Sequence, residues 1–338
     1  MIKPILKKLV EGHNLTDTEM KQFMSAIMEG KATPAQIGAF LVAMCMKGET
    51  VNEITQAAKV MRAKSYNLKI DTDKPIVDTC GTGGDAKNTF NVSTVTAFVI
   101  AGAGLKVAKH GNRSVSSKCG SADVLEALGL NLDTPVELVK KCIEETGIGF
   151  LFAPKFHPAM KYAIGPRQEL GLRTIFNILG PLTNPANVTH QIIGVYDKKW
   201  LRPLAEVVRN LGLKGAMIVH GEGRYDEITI TGKTYIAELK HGKINEYQIS
   251  PEIAGLKVGK QEDIKGEDKT YNVRLLLDIL SGKEKGTKRD MVLFNAAAVF
   301  KITNLAQNWL KGVEIALASI ESGKALEKLQ QMLKIMGR

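Results

Sequence analysis

A glycine-rich segment, Asp-Thr-Cys-Gly-Thr-Gly-Gly-Asp at residues 78–85, has the composition of a ligand-binding loop. Three glycines within four residues let backbone amides approach an anion closely, and the helix predicted to follow adds the positive end of its dipole. Asn91, Ser93 and Thr94 supply further hydrogen-bonding side chains nearby. A tight turn without a ligand is the weaker interpretation, so we predict an anion-binding loop.

The kind of anion follows from what this loop lacks. No Gly-Lys-Ser/Thr closes it, which excludes a Walker A loop, and residues 81–86 fit only a loose G-x-G-x-x-A pattern. A dinucleotide site would place an acid at the end of the second strand, where this chain has Lys109 and His110. Asp85 could accept ribose hydroxyls or approach a magnesium-bound group. These features favour a phosphorylated sugar together with a metal.

A second loop, Lys-His-Gly-Asn-Arg-Ser-Val-Ser-Ser at residues 109–117, gathers two cations, an imidazole, an amide and three hydroxyls. His110 lacks a second zinc ligand at the usual spacing, and no G-x-S-x-G motif indicates a serine hydrolase. Many donors without a covalent nucleophile indicate a reaction that depends on positioning and electrostatic stabilisation.

Short helices are predicted to occupy the first seventy residues. Each of three capping boxes can satisfy a helix-start amide, and Gly30 and Gly48 close the preceding helices. Helices this short must pack on another domain or subunit. The three boxes pair Thr16 with Glu19, Thr33 with Gln36, and Thr50 with Glu53.

Strands and helices alternate after Pro75, which predicts an α/β domain with ligands at the carboxyl ends of its strands. The predicted buried strands are Ile76–Cys80, Lys106–His110, Phe150–Phe152, Gln191–Tyr196 and Ala216–His220, and antiparallel strands are predicted at Glu227–Ile230, Thr234–Leu239 and Ile244–Ile249. The predicted helices are Ser93–Gly104, Ser121–Leu128, one opened by a capping box at Thr134 and Glu137, and those filling the chain from Asn272.

Composition excludes several classes of protein. The chain has 338 residues, 44% of them hydrophobic, yet its longest apolar runs fall short of the ~20 residues that cross a bilayer. No secretory signal is visible, and four scattered cysteines do not form a disulfide scaffold, so we expect a soluble cytoplasmic protein. The net charge of +11 is diffuse, which fits a polyanionic small substrate or weak nucleic-acid affinity.

On these motifs the chain resembles the anthranilate phosphoribosyltransferases. The matching segments are GTGGD at 81–85, NVST at 91–94, KHGNRSVSS at 109–117, GSADVLEALG at 120–129, FHPAMK at 156–161 and RTIFNILGPLTNP at 173–185. The likeness covers nearly the whole chain and is looser at both ends.

The resemblance implies transfer of 5-phosphoribose from phosphoribosyl pyrophosphate (PRPP) to the amino nitrogen of anthranilate, in tryptophan biosynthesis. It implies a small N-terminal helical domain plus a large α/β domain with a central mixed, mostly parallel sheet flanked by helices. We expect the small domain at residues 1–72, with a contribution from about 163–185, and the large domain at 73–338. A homodimer through the helical domain is also implied, without specific nucleic-acid or membrane partners.

The resemblance also assigns roles to individual residues. PRPP would be bound by Gly81, Gly84, Asp85, Thr89, Asn91, Val92, Ser93, Thr94, Lys109, His110, Gly111, Asn112, Arg113, Ser114, Val115, Ser116, Ser117 and Ser121. Anthranilate would meet Gly81, Asn112 and Arg167, and Mg²⁺ would be held by Ser93, Asp226 and Glu227. Lys109, Asn112 and Arg113 would support the transition state, with no covalent nucleophile. Adjacent carboxylates just after a predicted strand end also suit the oxygen-rich coordination of magnesium.

Two departures from the family pattern are visible. Gln168 stands where members commonly carry a second arginine, and Arg224 and Tyr225 replace a short apolar step before the acids. Two alternatives stay open: another phosphoribosyl or nucleoside transferase of the same fold, and a catalytically inactive relative that binds nucleic acid.

Overall fold

The N-terminal part of the chain folds into four helices in the structure, a computed structural model that describes residues 2–83, 87–114 and 119–337. Three of the helices begin at the predicted capping boxes. In each, the threonine hydroxyl accepts from the amide three residues on, and the acidic or amide side chain there accepts from the threonine amide. The helices are α1 (Ile2–Val10), α2 (Asp17–Met28), α3 (Pro34–Lys47) and α4 (Val51–Ala63).

The rest of the chain alternates strands and helices, as predicted. The strands are β1 (Ile76–Gly81), β2 (Lys106–Gly111), β3 (Ile148–Phe152), β4 (His190–Gly194), β5 (Gly215–Gly221), β6 (Thr234–Lys240) and β7 (Lys243–Ile249). The helices are α5 (Val92–Gly102), α6 (Ser121–Ala127), α7 (Val136–Thr146), α8 (Ala153–Phe156), α9 (Lys161–Leu170), α10 (Ile175–Leu182), α11 (Leu201–Asn210), α12 (Lys269–Leu280), α13 (Thr287–Ile302), α14 (Trp309–Glu321) and α15 (Lys324–Met336).

All seven strands form one mixed sheet in the order β3-β2-β1-β4-β5-β6-β7. The first five strands in this order are parallel, while β6 and β7 pair antiparallel. The predicted fold class, with its helical N-terminal part and mostly parallel sheet, is confirmed. Strand order reverses between β1 and β4, which opens a crevice beyond their carboxyl ends.

Two apolar cores lie on the two faces of the sheet. Alternate residues of β5 point to opposite cores, with Met217 in one and Ile218 in the other. The second core also holds Phe23 and Ile37 of the N-terminal helices together with Phe176 of α10. The short helices therefore gain their burial from α10, α11 and the sheet, as their length requires.

Two local predictions were wrong. Pro135, not Thr134, precedes α7, and the Thr134 hydroxyl donates instead to the carbonyls of Asn131 and Met336. Residues 227–230 form no strand, although Ile228 and Ile230 are buried. In the described part of the chain, no helix is both long and apolar enough to cross a bilayer.

A buried ion pair holds the N-terminal helices together. The Lys47 ammonium lies 2.8 Å from the Glu53 carboxylate, and both side chains are almost completely buried. Glu53 also accepts from the amides of Leu15 and Thr50, so one carboxylate joins the starts of two helices to the end of α3. Removing one member of a buried pair leaves the other charge uncompensated.

We expect Glu53→Gln to lower the free energy of unfolding by about 3 kcal/mol, because the Lys47 charge loses its partner. Urea denaturation would measure this change. Glu145→Gln is the control: its pair with Lys141 is more than half exposed, and it should cost under about 1 kcal/mol. An equal decrease in the free energy of unfolding in the two variants would contradict the role of Glu53.

Candidate functional site

The crevice at the reversal of strand order contains a pocket lined by four of the predicted site residues, Gly81, Ser93, Asp226 and Glu227. It lies at the carboxyl ends of β1 and β4, where ligands of open α/β sheets commonly bind. Its lining residues are Thr79, Cys80, Gly81, Ser93, Thr96, Ile192, Gly194, Val219, Asp226, Glu227 and Asn295. The predicted glycine loop, the predicted acids and Ser93 therefore converge on one place.

Asp226 lies directly over the ends of β1 and β4, and Glu227 lines the same pocket. The Asp226 carboxylate accepts a hydrogen bond of 2.8 Å from the Gly83 amide. A Cβ atom on Gly81 would overlap the Asp226 carboxylate, and one on Gly194 would overlap the Asp226 backbone carbonyl. Only glycine at these two strand ends allows the acid segment to come so close.

The turn before the acids has the unusual residues noted in the sequence. Gly221 and Tyr225 exchange backbone hydrogen bonds of 2.9 and 3.1 Å, and Arg224 takes a left-handed conformation with φ of 73°. Tyr225 is buried in the core beneath the turn. The bulky tyrosine thus fills the core, and the acids still reach the ends of β1 and β4.

Lys109 reaches the same site from β2. Its ammonium, almost fully buried, donates to the Thr79 carbonyl at 2.6 Å and to the Ser93 hydroxyl at 3.2 Å. Burial lowers the pKa of Lys109, while the nearby Asp78 carboxylate opposes that shift. The lysine charge therefore lies between the first turn of α5 and the end of β1, where it can face an anion.

Asp78, a residue to which sequence reasoning assigns no separate role, is the centre of a buried polar network. Its carboxylate accepts from the His110 amide at 3.3 Å, from Asn184 at 2.9 Å and from Gln191 at 3.3 Å. Burial raises the pKa of Asp78, and the Lys109 charge counteracts this rise. The network ties β1 to β2, to β4 and to the segment after α10.

The start of α5 carries the NVST motif into the site. Asn91 precedes the helix and donates from its side chain to the Cys119 carbonyl, while Val92 and Thr94 are buried. The buried Thr94 hydroxyl has no hydrogen-bond partner among the residues that the structure describes. An α-helix start beside Lys109 provides a positive end for phosphate oxygens.

His110 is buried beside a second histidine, His157, with 5.2 Å between the ring centroids. Burial lowers the pKa of His110 to about 3 and that of His157 to about 4. Both rings are therefore neutral near pH 7. They can orient a ligand through hydrogen bonds, but they add no positive charge to the site.

The loop after β2 is held against the start of α6. Gly111 ends β2, and the Ser121 hydroxyl donates to the Asn112 carbonyl at 3.3 Å. The Arg113 guanidinium forms ion pairs with two carboxylates of α6, Asp123 and Glu126, and both raise its pKa. The Ser114 amide donates to Asp123 as well. Arg113 thus holds the loop against α6 in this structure.

Arg167 lies on α9, half-buried, with its guanidinium 5.3 Å from the centre of the Phe176 ring. Burial lowers the pKa of Arg167. No described carboxylate comes within ion-pair distance of it, so the pairing with Glu169 that a surface arginine would make does not occur. Gln168 is exposed. An arginine in this state suits a carboxylate ligand.

The remaining predicted residues are less informative. Thr89 forms an isolated backbone bridge with Lys265. Within the described ranges, no cluster of three or more histidine, cysteine, aspartate or glutamate side chains could hold a metal. The Asp226 carboxylate shares its pocket with the oxygen donors of Ser93 and Glu227, which fits magnesium with several water ligands. Gly84, Asp85, Val115, Ser116 and Ser117 lie outside the described residues.

Comparisons with known proteins agree with this geometry. Residues 73–326 match the model "Glycosyl transferase family, a/b domain", and residues 3–65 match "Glycosyl transferase family, helical bundle domain". A relative named anthranilate phosphoribosyltransferase from Petrotoga mobilis is 52% identical over 99% of this chain and 96% of its own length. One of the same name from Acetivibrio thermocellus is 50% identical over the same shares of both chains.

Solved structures give the same result. Anthranilate phosphoribosyltransferase from Thermus thermophilus superposes with a TM-score of 0.93 at 40% identity, covering 98% of this chain and 99% of that one. The enzyme from Saccharomyces cerevisiae, solved in complex with PRPP and Mg, has a TM-score of 0.91 at 29% identity over 99% of this chain and 97% of that one. The chain belongs to the anthranilate phosphoribosyltransferase family.

Proposed function

We propose that this chain transfers 5-phosphoribose from PRPP to the amino nitrogen of anthranilate, giving N-(5-phosphoribosyl)anthranilate and pyrophosphate, in tryptophan biosynthesis. The observation that carries the proposal is the convergence of Lys109, the start of α5 and the acids Asp226 and Glu227 at the ends of β1 and β4. The name shared by relatives of half-identical sequence supports it.

The PRPP site in this proposal surrounds the starts of α5 and α6. Backbone amides after β1 and at the start of α5 would bind phosphate oxygens, and the Lys109 ammonium would face the pyrophosphate. The side chains and loops assigned to this ligand are Gly81, Gly84, Asp85, Thr89, Asn91–Thr94, Lys109–Ser117 and Ser121.

Magnesium fits the oxygen donors of Ser93, Asp226 and Glu227, which line one pocket. When bound there, it would neutralise charge on the pyrophosphate leaving group. The Ser93 hydroxyl also accepts from Lys109, so the ammonium and the cation would approach the ligand from the same side. The negative charges of Asp226 and Glu227 would offset the positive charges of Lys109 and the metal ion.

Anthranilate would be oriented by Arg167, Asn112 and the backbone at Gly81. A half-buried guanidinium without a described carboxylate partner can grip the anthranilate carboxylate with two parallel hydrogen bonds. Anthranilate's amine is neutral near pH 7, so no strong general base is required. The neutral His110 fits that requirement, since it contributes orientation and not charge.

The reaction therefore proceeds without a covalent enzyme intermediate. Lys109, Asn112 and Arg113 would stabilise charge that develops as the bond between the anomeric carbon and pyrophosphate lengthens. Holding the amine in line with that carbon supplies the remaining acceleration. No described residue is needed as a nucleophile for this sequence of events.

We further propose a helical domain at residues 1–72, with a contribution from about 163–185, and an α/β domain at 73–338. Packing of α10 among the N-terminal helices supports this division. A homodimer through the helical domain is supported by Val10 and Met46, which are 75% and 83% exposed. The proposed location is the cytoplasm.

The direct test mixes the protein with PRPP, magnesium and anthranilate and follows the loss of anthranilate fluorescence. Formation of pyrophosphate in step with that loss supports the proposal. Consumption of PRPP only with a different acceptor would favour another phosphoribosyl transferase of the same fold. Tight DNA binding at physiological salt without turnover would favour the nucleic-acid-binding alternative.

We expect the double variant Asp226→Asn, Glu227→Gln to lose turnover while remaining folded, because it removes both carboxylates proposed to hold magnesium. Activity over a magnesium titration and a circular dichroism spectrum measure the two effects. Glu222→Gln, on the same turn, should stay active, since among the described residues its side chain accepts only from the Lys233 amide. Unchanged activity of the double variant at limiting magnesium would remove the metal assignment.

We expect Gly194→Ala to reduce the turnover rate by about 100-fold, since the added methyl group would push the Asp226 backbone out of place. Gly38→Ala is the matched control: its methyl group meets open space in α3 and should stabilise the protein by about 1 kcal/mol without affecting turnover. A fully active Gly194→Ala enzyme would mean that catalysis does not need Asp226 in this position.

We expect Arg167→Lys to raise the Michaelis constant for anthranilate by about 10-fold and that for PRPP far less, because lysine lacks the planar two-point grip. Thermal stability should barely change. Steady-state kinetics with each substrate varied in turn measures the difference. Arg274→Lys, at an 85% exposed side chain, serves as control. Small and equal changes in the two Michaelis constants would leave the anthranilate carboxylate without an assigned partner.

A further inference from the structure

A buried asparagine of α13, Asn295, contacts the backbone beside the acid pair. Its side-chain oxygen accepts from the Ile228 amide at 3.2 Å. Its side-chain nitrogen donates to the Ile228 carbonyl at 2.8 Å and to the Met291 carbonyl, one turn back on α13, at 2.9 Å. The same side chain lines the pocket with Ser93 and Glu227. One amide therefore binds both backbone groups of the residue that follows Glu227.

The Ile228 backbone depends on this contact because its segment belongs to no strand. Its amide and carbonyl are buried, and no described strand forms hydrogen bonds with them. The next backbone anchor is the Thr229 amide, which donates to the Thr234 hydroxyl at 3.1 Å. Asn295 thus fixes the orientation of the backbone immediately after Glu227.

We propose that Asn295 is a positioning residue for the divalent cation site, holding Glu227 and Asp226 at the angle at which their carboxylates face the pocket. This inference rests on the proposed role of those acids as magnesium ligands. The chemistry is that of an outer partner that orients a metal ligand, here through the ligand's own backbone. In this role Asn295 acts through the Ile228 backbone and not as a metal ligand.

An amide is the side chain that this position requires. An aspartate there would still accept from the Ile228 amide, but its oxygens would face two carbonyl oxygens, at Ile228 and Met291. An alanine would leave both buried Ile228 groups without partners. The two substitutions disturb the acid pair in different ways. An effect on metal affinity that both share would therefore come from losing the Asn295 hydrogen bonds to the Ile228 backbone.

The test uses Asn295→Ala, Asn295→Asp and the milder Asn295→Ser, which keeps the fold accessible should the first two fail to fold. Ser319→Ala is the matched control, because it removes a buried hydrogen bond to the Val99 carbonyl away from the acids. Two quantities are measured: the half-saturating Mg²⁺ concentration for turnover, and PRPP affinity by calorimetry with Mg²⁺ or with EDTA.

We expect the half-saturating Mg²⁺ concentration to rise on the order of 10-fold in the Asn295 variants. Compared with the wild-type protein, PRPP affinity should be lower with Mg²⁺ present and the same in EDTA. The Michaelis constant for anthranilate should be unchanged. A purely structural role would lower the melting temperature of the Asn295 variants and Ser319→Ala alike while leaving the magnesium dependence unchanged. That result would overturn the inference.

The acid variants separate this inference from the proposed function. If the Asp226→Asn, Glu227→Gln enzyme keeps its magnesium dependence, the metal assignment fails and the role of Asn295 fails with it. If that enzyme loses turnover but the folded Asn295 variants keep the wild-type magnesium dependence, only the positioning role is wrong.

Discussion

The arrangement of the site depends on how closely one loop approaches the sheet. Asp226 lies across the ends of β1 and β4, against Gly81 and Gly194, at a distance that no side chain with a Cβ atom permits. Because of this close approach, Asp226 and Glu227 lie at the crevice where the strand order reverses. The start of α5 and Lys109 of β2 lie at the same crevice. Because backbone hydrogen bonds fix β1, β4 and β5 relative to one another, the side chains proposed to bind the ligand are also held in fixed relative positions. A rigid constellation of this kind is what electrostatic catalysis requires.

Two buried groups of opposite charge, Asp78 and Lys109, lie on the sheet side of this site. Burial alone would favour neutral forms of both, raising the pKa of the carboxyl and lowering that of the ammonium, and each charge counteracts the shift of the other. Hydrogen bonds from Asn184 and Gln191 then complete the coordination of the carboxylate. Within this network, Gln191 Oε1 is buried without a hydrogen-bond partner among the described residues, which costs stability. The network also couples the PRPP side of the crevice to the segment after α10.

The local part of this organisation could be predicted from the sequence, and the nonlocal part could not. The capping boxes at Thr16, Thr33 and Thr50 depend on residues three positions apart, and all three occur. The sequence predicts an antiparallel strand at residues 227–230, yet the Ile228 backbone pairs with a side chain 67 positions further along the chain. No period or spacing indicates such a partner. The same is true of Asp78, because nothing in the sequence of β1 indicates that Asn184 and Gln191 are its partners.

The arginines of the site differ in what a ligand would have to displace. Arg113 is already paired with Asp123 and Glu126, so its contribution in this state is to hold the loop in place, with its charge balanced. Arg167 is half-buried against the Phe176 ring, and its charge is not balanced by a described carboxylate. An incoming carboxylate would relieve that imbalance without breaking an existing ion pair. Such relief favours a small carboxylate at Arg167, whereas a phosphate at Arg113 competes with two carboxylates for the same guanidinium.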